Sequence, residues 1–148
     1  MSVQLGLLRE FKRSTLVNEK KIIASNKAPK AIGPYSQGVV SSDHIFLSGQ
    51  IPLYENGELC NGTMQEQVEL IFQNIGHLLE TQKCGLQNIV KLTVFLKDIA
   101  DFDAVNSKMI ELLEEPYPAR SLVQAAALPK NVDVEIEVIA GLNKNGAK

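Results

Sequence analysis

Three acidic residues near the C-terminus, Asp133, Glu135 and Glu137, alternate with the aliphatic Val132, Val134, Ile136 and Val138. An extended strand puts such a set on one face, with successive carboxylates about 6.5–7 Å apart. On an ordinary antiparallel edge strand that face is solvated. Against a partner it is partly desolvated, and three such carboxylates cannot all keep ordinary pKa values. Arg120, in the run Tyr117-Pro118-Ala119-Arg120-Ser121, is the candidate counter-charge. A salt bridge to Glu135 or Glu137 is the role that spacing alone favours. The other role is a bidentate grip on a substrate carboxylate, which the planar guanidinium suits. Tyr35, between Pro34 and Ser36, is either a loop anchor or a phenol directed into a pocket.

Other chemistries find no support. There is no GxSxG, no Walker loop and no GxGxxG after a strand. His44, beside a hairpin turn, and His77, on the polar flank of a helix, read as surface residues, and Asn106 as an ordinary helix residue. Cys60 and Cys84 form neither a CxxC nor a disulfide framework. They point to a reducing compartment, and a cytoplasmic location is expected.

At 148 residues and 22% charged, the chain has the size and composition of one folded domain. No apolar run is long enough to span a membrane. The net charge of −2 divides unevenly: residues 1–21 carry five basic and two acidic residues, leaving ten basic and fifteen acidic for the rest. A body of charge −5 is a poor partner for phosphate backbones, so nucleic-acid binding is not expected. The N-terminal run has Leu5, Leu8, Lys12 and Leu16 at helical spacing, as in a mitochondrial presequence, but Glu10 and Glu19 depart from that pattern. It reads as a surface extension.

Positioning these residues requires a set of elements. KIIAS (21–25) is a short strand, followed by the Pro/Gly-rich loop 28–38, about as long as an active-site loop. Residues 39–40 and 44–47 form a hairpin around Ser41-Ser42-Asp43. Thr63 with Glu66 makes a capping box, and Val68, Ile71, Phe72, Ile75 and Leu79 follow as an apolar stripe. Gly85 is expected to supply the left-handed stop. A strand at 89–97, a helix at 101–113 and a second hairpin of strands 120–128 and 132–140 around Pro129-Lys130-Asn131 complete the chain. The hairpin would set Arg120 beside the acids. Two helices can cover only one face of a six-stranded sheet, so the other face needs a cover that a homo-oligomer provides.

Taken together, APKAIGPYSQG (28–38), FLSGQIP (46–52), VKLTVFLKD (90–98), FDAVN (102–106), YPARS (117–121), ALP (127–129) and VEIE (134–137) resemble the RidA/YjgF family of reactive-intermediate (enamine/imine) deaminases, also called L-PSP or translation inhibitors. The resemblance covers residues 21–141 as a single domain, leaving 1–20 as an N-terminal extension and 142–148 as a C-terminal tail. It implies an α/β (α+β), chorismate-mutase-like fold: a six-stranded, mostly antiparallel sheet with two helices on one face, assembled as a homotrimer with clefts between subunits. The implied activity is hydrolysis of 2-imino acids, formed by pyridoxal-phosphate enzymes, to 2-keto acids and ammonia, with no cofactor and no metal. By position, Arg120 would grip the substrate carboxylate and Glu135 would orient the attacking water. Tyr35, Gly49 and Asn106 would line the pocket, with Leu122 contributing chiefly backbone. Leu122 stands where many bacterial members have Cys, and the stretch between Asn106 and Arg120 is a few residues short; both bear on pocket shape and substrate range. The alternatives are a ribonuclease acting on messenger RNA and a non-catalytic trimer that binds small carboxylates.

Overall fold

The computed structural model describes residues 19–144. Six strands form one sheet: β1 (Lys21–Ile23), β2 (Gly38–Ser41), β3 (His44–Gln50), β4 (Ile89–Leu96), β5 (Ala119–Gln124) and β6 (Val134–Gly141), in the order β1-β2-β3-β6-β4-β5. All neighbours are antiparallel except β4 and β5. Among the described residues there are two α-helices, α1 (Met64–Glu80) and α2 (Phe102–Leu112). Thr63 caps α1 as its spacing predicts: its hydroxyl accepts from the Glu66 amide, and the Glu66 carboxylate accepts from the Thr63 amide at 2.6 Å. The other end differs from expectation. Lys83 takes the left-handed conformation (φ 56°), and Gly85 is extended at the start of a short 3-10 turn.

The core lies on one face of the sheet. Val68, Ile71, Phe72, Ile75, Leu78 and Leu79 of α1 pack there with Ile45, Leu92, Val94, Ile136 and Val138. Lys108 of α2 reaches Glu69 of α1 at 3.4 Å, tying the helices together. The opposite face has no helix among the described residues. Register across it gives a row of Ile22, Val39, Phe46, Ile139, Lys91 and Ala119. Ile22 and Phe46 in that row are 66% and 41% exposed. Among the described residues no helix is long and apolar enough to cross a membrane.

The C-terminal hairpin is corrected. β5 does not pair with β6; β4 lies between them. α2 carries the chain back after β4, so β5 joins parallel, as a helix-linked crossover requires. β6 buries Val134, Ile136, Val138 and Ala140 between β3 and β4, a central strand rather than half of an edge hairpin. The N-terminal extension, with its presequence-like spacing, lies outside the described residues.

Candidate functional site

Glu135 and Glu137 point to the open face of the sheet, in register with Phe95 and Thr93 of β4. Asp133 does not join them. It precedes β6, and its carboxylate accepts a hydrogen bond from Gln67 of α1 at 3.1 Å. Glu135 is half-buried, and its carboxyl is pushed above the ordinary range, first by desolvation and then by the charge of Glu137.

A bulge shapes the surroundings of Glu135. Leu47 pairs with Val138 and Gln50 with Ile136, so β3 carries one residue more than β6 over this span. Gly49 falls in the bulge, and a Cβ there would overlap the Glu135 carboxylate. Glycine at this position lets the backbone lie against the acid. Above it, loop 28–38 is held by two side chains. The Gln37 amide donates to Pro29 O at 2.7 Å and Ser25 O at 3.2 Å and accepts from Ser25 N at 2.8 Å. The Ser48 hydroxyl donates to Ser36 O at 2.6 Å. The loop thereby brings Tyr35 to the cleft, and the Tyr35 hydroxyl accepts from Ile32 N at 3.3 Å, so the phenol both anchors its loop and lines a pocket. Tyr35, Ser48, Gly49, Gln50 and Glu135 line a cleft of about 310 Å³. Lys30 lines it too but forms no salt bridge with Glu135.

Arg120 is elsewhere. It pairs with the core residue Leu92, so its side chain emerges on the helix face, opposite to Glu135. Two strands and three residues of register separate the two positions, roughly 14 Å between Cα atoms. The expected salt bridge to Glu135 or Glu137 is therefore not made. Instead Nη1 donates to Asn106 Oδ1 at 2.6 Å and to Met109 Sδ at 3.7 Å, and the guanidinium carbon lies 5.4 Å from the Phe102 ring centre. Asn106, Met109, Ile110, Tyr117 and Arg120 line a second cleft of about 360 Å³. Leu122, on the same face of β5, is partly buried against the core.

The chain thus carries two separate clefts, one lined by a carboxylate and one by a guanidinium. Of the residues the sequence and the resemblance single out, Tyr35, Gly49 and Glu135 line the first cleft and Asn106 and Arg120 the second, while Phe102 and Met109 beside the arginine, and Gln37 and Ser48 under the loop, are added by the structure. The helical spacing of Phe102, Asn106 and Met109 (i, i+4, i+7) was the available signal for the first pair.

Comparison with known proteins agrees with the architecture. The chain is 43% identical over 122 residues to a RutC family protein of Pyrococcus abyssi, covering 82% of this chain and 96% of that one. It is 44% identical over 122 residues to the 2-iminobutanoate/2-iminopropanoate deaminase of Capra hircus, covering 82% and 89%. The solved structure of E. coli TdcF with bound serine superposes with a TM-score of 0.78 at 41% identity, covering 84% of this chain and all of that one. The profile of the family described as Endoribonuclease L-PSP matches residues 25–142. The chain belongs to that family, the RidA/YjgF/L-PSP proteins.

Proposed function

We propose that this protein is a hydrolytic deaminase that converts 2-imino acids to 2-keto acids and ammonia, in clefts formed between copies of a homotrimer. The observation that carries the reading is the division of the site. Among the described residues the guanidinium cleft has no acidic lining residue and the Glu135 cleft has an acid without a salt bridge, and the two open on opposite faces of one sheet. A second copy can supply the missing half. Relatives named 2-iminobutanoate/2-iminopropanoate deaminase, and a relative whose structure holds serine, support a small substrate bearing a carboxylate.

In this reading Arg120 of one copy clamps the substrate carboxylate. Glu135 of the next takes a proton from a water as its oxygen bonds to the imine carbon. The C=N electron pair moves to nitrogen and Glu135 returns the proton to it, giving a carbinolamine; Glu135 then passes the new hydroxyl's proton to the amine as the C–O bond becomes a carbonyl, and the C–N bond breaks to release ammonia and the keto acid. Imines hydrolyse readily in water, so orientation and one positioned base suffice. The domain that does this is residues 21–141, and we place it in the cytoplasm, in keeping with the free cysteines Cys60 and Cys84.

The test is release of keto acid and ammonia from imines made in situ by an amino-acid oxidase, with the full chain and with residues 1–17 deleted. Acceleration over buffer in both is expected. No acceleration with the full chain rejects the activity. RNA cleavage in its place would favour the ribonuclease reading that the family's description carries.

A further inference from the structure

Arginine has five N–H donors, two on each Nη and one on Nε. Both donors of Arg120 Nη1 have acceptors within its own chain, Asn106 Oδ1 and Met109 Sδ. The Phe102 ring stands against the guanidinium, 5.4 Å from Cζ. All three residues come from one face of α2, whereas Arg120 comes from β5, so the helix fixes how the strand's side chain presents itself. An exposed arginine on an edge strand would otherwise sample many rotamers.

We propose that Phe102 and Met109 are positioning residues for Arg120, and that with Asn106 they leave the Nε–Nη2 edge as the fork that receives the substrate carboxylate. This rests on the deaminase reading above. The substrate's carboxylate then binds side-on to the guanidinium, with its plane fixed by the Phe102 ring.

The experiment compares steady-state imine hydrolysis and calorimetric binding of 2-oxobutanoate for wild type, Phe102→Leu, Phe102→Tyr, Met109→Leu and Arg120→Lys. Phe102→Leu keeps apolar bulk but loses the ring. It should raise KM and the 2-oxobutanoate dissociation constant about three- to tenfold, with kcat changed less than twofold. Phe102→Tyr should restore wild-type values, and Met109→Leu should give a smaller rise. Melting temperatures separate these effects from loss of fold; if the leucine variant is unfolded, the tyrosine and Met109 variants and a crystal structure with 2-oxobutanoate decide. A carboxylate seated on Nη1 with Asn106 displaced overturns the proposal, as do equal constants for Phe102→Leu and wild type. Should Arg120→Lys itself bind and turn over like wild type, the clamp role of Arg120 fails as well, whereas absence of imine hydrolysis in wild type rejects the deaminase reading itself. Loss in Arg120→Lys with none in Phe102→Leu rejects the positioning role alone.

Discussion

At the scale of single residues, Arg120 and Glu135 are not partners within a copy, and their substitutions should behave independently. Arg120→Lys keeps charge but loses the fork, removing charge-assisted hydrogen bonds worth about 1.5–3 kcal/mol each, so kcat/KM should fall roughly ten- to a hundredfold. Glu135→Gln should bind 2-oxobutanoate normally and lose turnover. Full activity in Glu135→Gln would reject the water-activating role. The raised pKa of Glu135 sets the sign of two further effects. A folded-state pKa above the unfolded value favours folding at low pH and loses that contribution as pH rises through the folded pKa. Glu135→Gln should therefore melt at or above wild type at neutral pH, with the difference closing in acid. Glu137 lifts Glu135 by repulsion, so Glu137→Gln should move the acidic limb of the pH–rate profile downward; an unmoved limb would show that desolvation acts alone. The sequence displayed these residue types openly. It hid their partners, because Asn106 and Met109 meet Arg120 only after α2 has folded over the end of the sheet.

Among the elements, the bulge in β3 carries the sharpest expectation. Gly49→Ala sets a methyl group where the Glu135 carboxylate lies, so the acid must rotate away. A displacement of about 1 Å is worth roughly a hundredfold in rate, and kcat should fall by about that factor while the sheet remains folded by circular dichroism. Local signals placed most elements: the capping box before α1, the apolar stripe along it, and the alternation in β4 and β6 all correspond to what folds. Pairing was the part that local signals misdirected. Lys130 and Asn131 do adopt positive φ, 54° and 55°, as hairpin turns often require. Yet β5 ends at Gln124, and the turn lies in the connection that crosses β4 to reach the slot beside β3. The order strand, helix, strand across β4, α2 and β5 already specified a parallel pair. Within that pair, register against Leu92 puts Arg120 on the helix face. Gly85 was misassigned for a similar reason, since Lys83 accepts the left-handed turn two residues earlier.

For the whole molecule, the open sheet face, bare of helices among the described residues, is the surface that the proposed trimer would bury. Its row of Ile22, Val39, Phe46 and Ile139 is apolar across four strands. A charge in that row should be costly only if the row is covered, so Phe46→Glu should dissociate the assembly and abolish imine hydrolysis while a single copy stays folded. Light scattering on wild type should give three times the mass of one chain, and a monomer at micromolar concentration would sink the shared site. Because the guanidinium and the carboxylate lie on opposite faces of each sheet, a defect in one can be complemented by a copy defective only in the other. Arg120→Lys and Glu135→Gln proteins, each impaired alone, should regain activity when unfolded together and refolded at equal amounts. In a closed ring of three with random mixing, about one cleft in four receives an intact arginine from one side and an intact glutamate from the other. Two impaired proteins would then make a working enzyme with roughly a quarter of wild-type activity, an outcome closed to any site that a single copy completes by itself.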